Sequence, residues 1–144
     1  MSVHWGGNWG FEIGDEEKAF AHRLIDEGGA DILHGHSSHH VKGIEVRRGK
    51  LILYGCGDFL NDYEGIAGYG EFRPELSLMY FPEADPATGS LRSLHAVPMR
   101  VRRFRLERAP CDGVEWLCKT LDREGRALGT HVTAEGQGTL SLHW

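Results

Sequence analysis

Five of the nine histidines, His4, His34, His36, His39 and His40, fall at strand ends or in the loop that follows within the first 40 of 144 residues. Imidazole is a good ligand for zinc, manganese, iron and similar ions, and Gly35-His36-Ser37-Ser38-His39-His40 gathers several in one run. Gly35, just before His36, lets the backbone approach closely. A polar surface loop has the same composition, so the run alone leaves metal binding and a solvated loop both open. His4 stands singly after a short strand, the usual place of a hydrogen-bonded structural histidine. His22, on the charged side of a helix, and His95, His131 and His143, in strands without ligand-type neighbours, read as structural or solvent-facing. Asp58, Asn61, Asp62 and Glu64 offer oxygen ligands, or partners that orient a histidine, and a solvated acidic loop fits them equally. Trp5 and Trp9 either wall a pocket or fill core.

The elements that must hold these residues follow from periodicity and punctuation. Ser2 to Trp5 ends a strand, and Gly6-Gly7-Asn8-Trp9-Gly10 is irregular. Asp15 suits a helix N-cap, Glu16 and Glu17 suit the positive end of the helix, and Ala19, Phe20, Leu24 and Ile25 form an apolar stripe that Gly28-Gly29 ends. Residues 30–33 predict a buried strand that runs into the histidine loop, giving strand, helix, strand and ligand loop, an α/β signature. Ligands bind beyond the carboxyl ends of strands in such sheets, because there loops converge on a rigid frame. A hairpin is expected over 44–47 and 51–54, followed by a tight loop at 55–59. A second runs from 76–81 through the turn at 85–89 to 91–101, and 61–74 reads as irregular. Asp112 can cap a helix whose Val114, Leu117, Cys118 and Leu121 share a face, with Gly129 as its stop. Strands at 131–133 and 139–142 close the chain.

Composition narrows the function. A 144-residue chain fits one domain with a real core, and a formal charge of −5 without a basic excess makes nucleic acid a poor partner. Cys56, Cys111 and Cys118 have neither metal nor redox spacing and read as free thiols. No apolar run approaches a membrane span and no signal peptide is legible, so the expected location is cytoplasmic. Arg100, Arg102, Arg103, Arg105 and Arg108 alternate with Val101, Phe104 and Leu106. That pattern fits a strand with a wet basic face better than it fits a phosphate or polyanion site.

Val3-His4-Trp5-Gly6, an acidic-capped helix, Gly29-Ala30-Asp31-Ile32, Gly35-His36-x-x-His39, Ile44-Glu45-Val46, Gly49-Lys50 and Tyr54-Gly55-Cys56-Gly57-Asp58-Phe59 occur in this order over residues 2 to about 62. In this order they resemble the C-terminal motifs of the CapA family of capsule and poly-γ-glutamate synthesis proteins. That family is similar to calcineurin-like metallophosphoesterases, whose two stacked sheets hold a two-metal centre. The resemblance implies that His4, His36 and His39 are metal ligands and that Trp5, His34, Gly35, His40, Asp58 and Asn61 support them. The ions would be divalent manganese, zinc or iron. Ser37 and Ser38 stand where a histidine and a proline are common in the family, and Asp58 stands where asparagine is common.

The same resemblance implies a single domain over 1–144 that is the C-terminal part of a larger metallophosphatase-like domain. Its fold would be a partial two-sheet α/β sandwich with a β-rich C-terminal portion and two helices. The partner expected first is the N-terminal half, which in the superfamily carries an Asp-x-His pair, a bridging aspartate and an asparagine. The substrate expected is phosphate-containing or polyanionic. A non-catalytic accessory module that keeps the fold is the alternative, and a small zinc-stabilised domain is a third reading. A sandwich cut in half would leave Ile32, Leu33, Ile52 and Leu53 partly uncovered.

Overall fold

Short period-two apolar runs on either side of an amphipathic helix build the first layer. In the computed structural model, which describes residues 1–61 and 68–144, Ser2–His4 (β1), Asp15–Asp26 (α1) and Ile32–His36 (β2) form a parallel crossover unit. Ile44–Arg47 (β3) and Lys50–Leu53 (β4) form the expected hairpin. The four strands make one sheet in the order β1-β2-β4-β3, with β1 and β4 both parallel to β2. Asp62 and Glu64 lie outside the described residues.

Two sequence boundaries move for identifiable reasons. The helix begins one residue earlier than a cap at Asp15 requires. Gly14 is the N-cap, and its N–H donates to Glu17 Oε2 at 3.2 Å, the return bond of a capping box. The strand expected over 30–33 instead spans β2, so His34 and His36 belong to the strand rather than to the loop after it. Parallel pairing with β1 carries it on, Val3 opposite Gly35 and His4 opposite His36.

The second layer is antiparallel. Leu76–Ala84 (β5), Leu91–Arg102 (β6), Arg105–Arg108 (β7), Cys111–Gly125 (α2), His131–Ala134 (β8) and Leu140–His143 (β9) follow in turn. The sheet order is β5-β6-β9-β8, with β7 also on β6. α2 starts after Pro110 rather than Asp112, with the Asp112 carboxylate in the first turn at the positive end of the helix.

Alternation sorts the first sheet into two faces. Leu33, Ile52 and Tyr54 pack against Ile13, Ala21 and Ile25 at and within α1. Leu51, Leu53 and Ile44 point the other way, into a core shared with Leu76, Leu78 and Leu140 of the second sheet and Leu117 and Leu121 of α2. The result is an α/β two-sheet architecture with two helices. Leu33, Ile52 and Leu53 are buried and only Ile32 is partly exposed, so the expected uncovering of all four does not occur. The helix covers one face and the second sheet the other. Total accessible surface is 7649 Å², close to the roughly 7,400 Å² that size scaling gives for a folded chain of this mass.

Candidate functional site

At the β1 edge the inner sheet face carries different chemistry. Register places Ser2 beside His34 and His4 beside His36, on the face that Leu51 and Leu53 bury further along. The His4 and His36 rings meet edge to face at 5.2 Å between centroids, and the His34 and His36 rings stack at 5.8 Å. Ser2 Oγ lies 3.0 Å from His34 Nδ1 and 3.2 Å from His36 Nδ1, so one hydroxyl sets both ring orientations. Partial burial, with His36 and the amino terminus nearby, holds the His34 pKa below its usual value. A cleft of about 470 Å³ between the sheets, lined by Ile32, His34, Leu53, Leu78 and Tyr80, adjoins this face.

The loop after β2 is tied to the loop after β1. Trp5 N–H donates to His36 O at 3.1 Å, and His39 N–H donates to Asn8 O at 3.1 Å. Ser37, at φ 144°, is held in that strained conformation by its hydroxyl, which donates to Trp5 O. Trp5 lies across the sheet, its indole N–H donating to Tyr54 O at 2.8 Å directly over Gly35. Ser38 is buried, and its hydroxyl donates to His40 O at 2.9 Å. A serine at this position therefore closes the loop on itself.

His39 points its Nδ1 at Asp58 Oδ2, 2.9 Å away, while its ring lies 5.3 Å from that of Trp9. A carboxylate at Nδ1 holds the proton there and leaves Nε2 as the acceptor nitrogen, the arrangement seen behind metal-bound imidazoles. His40 is fully buried among Trp9, Phe11 and Phe72, and its Nδ1–H donates to Val41 O at 2.9 Å. Burial pushes its pKa down, so it is a neutral packing residue. Trp9 stacks flat on Tyr69, 3.9 Å between centroids. Asn61 is partly buried, and its Oδ1 has no hydrogen-bond partner among the described residues.

The structure thus brings His4, His34 and His36 together on one sheet face, and sets His39 with Asp58 on the adjoining loop. Among the described residues no three His, Cys, Asp or Glu side chains are grouped closely enough to hold an ion. Away from this face, His22 bonds Glu45 at 2.9 Å, His95 bonds Ser141 at 2.8 Å and His143 bonds Thr133 at 2.8 Å. Sequence reasoning missed Ser2, which the period-two rule places with His4 but whose partners only the parallel register reveals. It also missed Glu45, which accepts from both His22 and the Tyr54 hydroxyl and so ties α1 to the sheet.

A mixed sheet with histidines at the carboxyl ends of adjacent parallel strands, backed by an antiparallel sheet, defines an α/β two-sheet protein. The bacterial capsule synthesis protein family PGA_cap matches residues 1–63. A probable polyglutamine synthesis accessory protein of Mycobacterium tuberculosis is 51% identical over 142 residues, 99% of this chain and 37% of that protein. The PGA biosynthesis protein CapA of Bacillus subtilis is 37% identical over 62 residues, 43% of this chain and 16% of that protein. The capsule biosynthesis protein CapA of Bacillus anthracis is 31% identical over 62 residues, 43% of this chain and 15% of that protein. The chain belongs to the CapA family, corresponds to a C-terminal part of such a protein, and spans little more than a third of the mycobacterial relative's length.

Proposed function

We propose that this chain contributes His4, His36 and His39 to a metallophosphoesterase-type divalent metal centre in a protein of capsule or poly-γ-glutamate synthesis. The observation that carries the reading is the contact between the His4 and His36 rings on an open strand-end face, with His36 Nδ1 held by Ser2. The donor set fits manganese, zinc or iron as part of a coordination shell: a paired imidazole face, and a third imidazole oriented by Asp58. A bound ion would supply Lewis-acid polarisation of a phosphoryl or acyl-phosphate oxygen. The chain's own residues orient and confine. Ser2 and Asp58 fix the ring orientations, Trp5 pins the loop to the sheet, and the cleft beside His34 offers an apolar wall. The remaining ligands would come from other parts of a protein as long as the relatives.

Three neutral imidazoles leave an ion's charge uncompensated, so the chain alone should bind zinc or manganese with micromolar affinity or weaker. Titration calorimetry measures this, and His36→Ala should remove the signal. Nanomolar binding that survives His36→Ala would overturn the assignment.

A further inference from the structure

The turn between β6 and β7 has positive φ at both central residues, Arg103 at 51° and Phe104 at 57°, between the paired residues Arg102 and Arg105. That is the geometry of a type I′ turn, which asparagine and glycine fill without strain. The chain follows this preference in its other two-residue hairpin, where Arg48 and Gly49, at 51° and 76°, join β3 to β4. Here the second position is a phenylalanine, a residue for which the left-handed region is an outlier. The residue is 62% exposed, so packing gives little in return for the strain. Strain kept without a packing benefit points to use.

The residues around the ring give that use a chemistry. Arg102, Arg103 and Arg105 line a hollow at the tip together with Glu107. Arg100 bonds Glu107 at 3.0 Å and holds its carboxyl below the usual range. Arg102 and Arg105 form no ion pair among the described residues. Three arginines therefore flank one exposed aromatic residue along the turn, on a chain whose formal charge is −5.

We infer that this hairpin tip docks on an anionic phospholipid bilayer, with Phe104 entering the boundary between headgroups and acyl chains and Arg102, Arg103 and Arg105 binding lipid phosphates. The ring decides between an anionic surface and an anionic polymer. A flexible polycarboxylate gains from the arginines but nothing from the phenylalanine, whereas a bilayer interface stabilises both. Such docking needs no spanning segment, and no described helix is long and apolar enough to cross a membrane. The field of the acidic body fades over about 8 Å at physiological salt, so the local charge of the tip governs its approach to a surface.

The test is co-sedimentation of the chain with vesicles of phosphatidylcholine alone and of phosphatidylcholine and phosphatidylglycerol in equal parts. Binding is expected only to the mixed vesicles and should weaken as salt rises. Reversing two charges in Arg102→Glu with Arg105→Glu should cut partitioning by roughly tenfold or more. Phe104→Gly should cut it by about tenfold through lost apolar insertion. Phe104→Gly also relieves the left-handed strain and should raise the melting temperature by a few degrees, so its loss of binding is separable from misfolding. Equal binding to neutral vesicles, unchanged binding by either variant, or binding of soluble polyglutamate without vesicle binding would each overturn the inference.

Discussion

Gly35→Ala is expected to lower the melting temperature by roughly 6–12 °C, the shift that a loss of about 3 kcal/mol produces in a chain of this size. A β-carbon at Gly35 would lie 2.6 Å from the Tyr54 carbonyl oxygen and 2.7 Å from that of Leu53, and closer still to Trp5 Nε1. Two of these three obstacles are backbone of the neighbouring strand, which cannot move without opening the sheet. The third is the indole whose N–H bond to Tyr54 O anchors the β1 loop. Relief by turning Trp5 out would break that bond and uncover Tyr54 and Leu33, both now buried. Gly136→Ala is the control, since a β-carbon there meets nothing within 4 Å. Thermal melts followed by circular dichroism decide the matter. A Gly35→Ala protein that melts within about 2 °C of the parent would show that the β2–β4 spacing is more compliant than its geometry indicates.

The second large effect concerns turnover. The chain alone should hydrolyse an aryl phosphate in the presence of manganese no faster than background; the proposed metal centre calls for measurable turnover only in a form extended to the length of the mycobacterial relative. Its described residues offer imidazoles at the strand ends, but no three His, Cys, Asp or Glu side chains among them are grouped closely enough to hold an ion. Losing one preorganised electrostatic element costs on the order of a hundredfold in rate, and here more than one is lacking. His36→Ala in the longer form should remove the activity. Turnover by the short chain that vanishes in its own His36→Ala variant would mean that the site is complete within these residues.

Local rules made most of the fold readable. Alternation and glycine marked the β3–β4 hairpin, because Arg48-Gly49 has the residue the turn needs, and the same reasoning failed at Arg103-Phe104, where it is absent. The stripe in α1 was legible, but its first residue depended on a bond from Glu17 back to Gly14. The histidine face was legible as a set of residue types. Register was not, since nothing local says that Ser2 sits beside His34 and His4 beside His36. Burial of Leu33 and Ile52 was misjudged for a related reason, because α1 supplies the cover expected from missing strands.

The stacking of Trp9 has an optical consequence. Its indole lies flat on the Tyr69 ring, with the planes 2° apart, and against the imidazoles of His39 and His40. Aromatic transitions so closely parallel couple to one another, and protonated imidazole beside an excited indole drains its emission. The colour and intensity of tryptophan light, and the near-ultraviolet dichroism, therefore carry a signature from the His39 loop without any added label. An ion that drew His39 away would register in that signal while the rest of the sandwich stayed as it was.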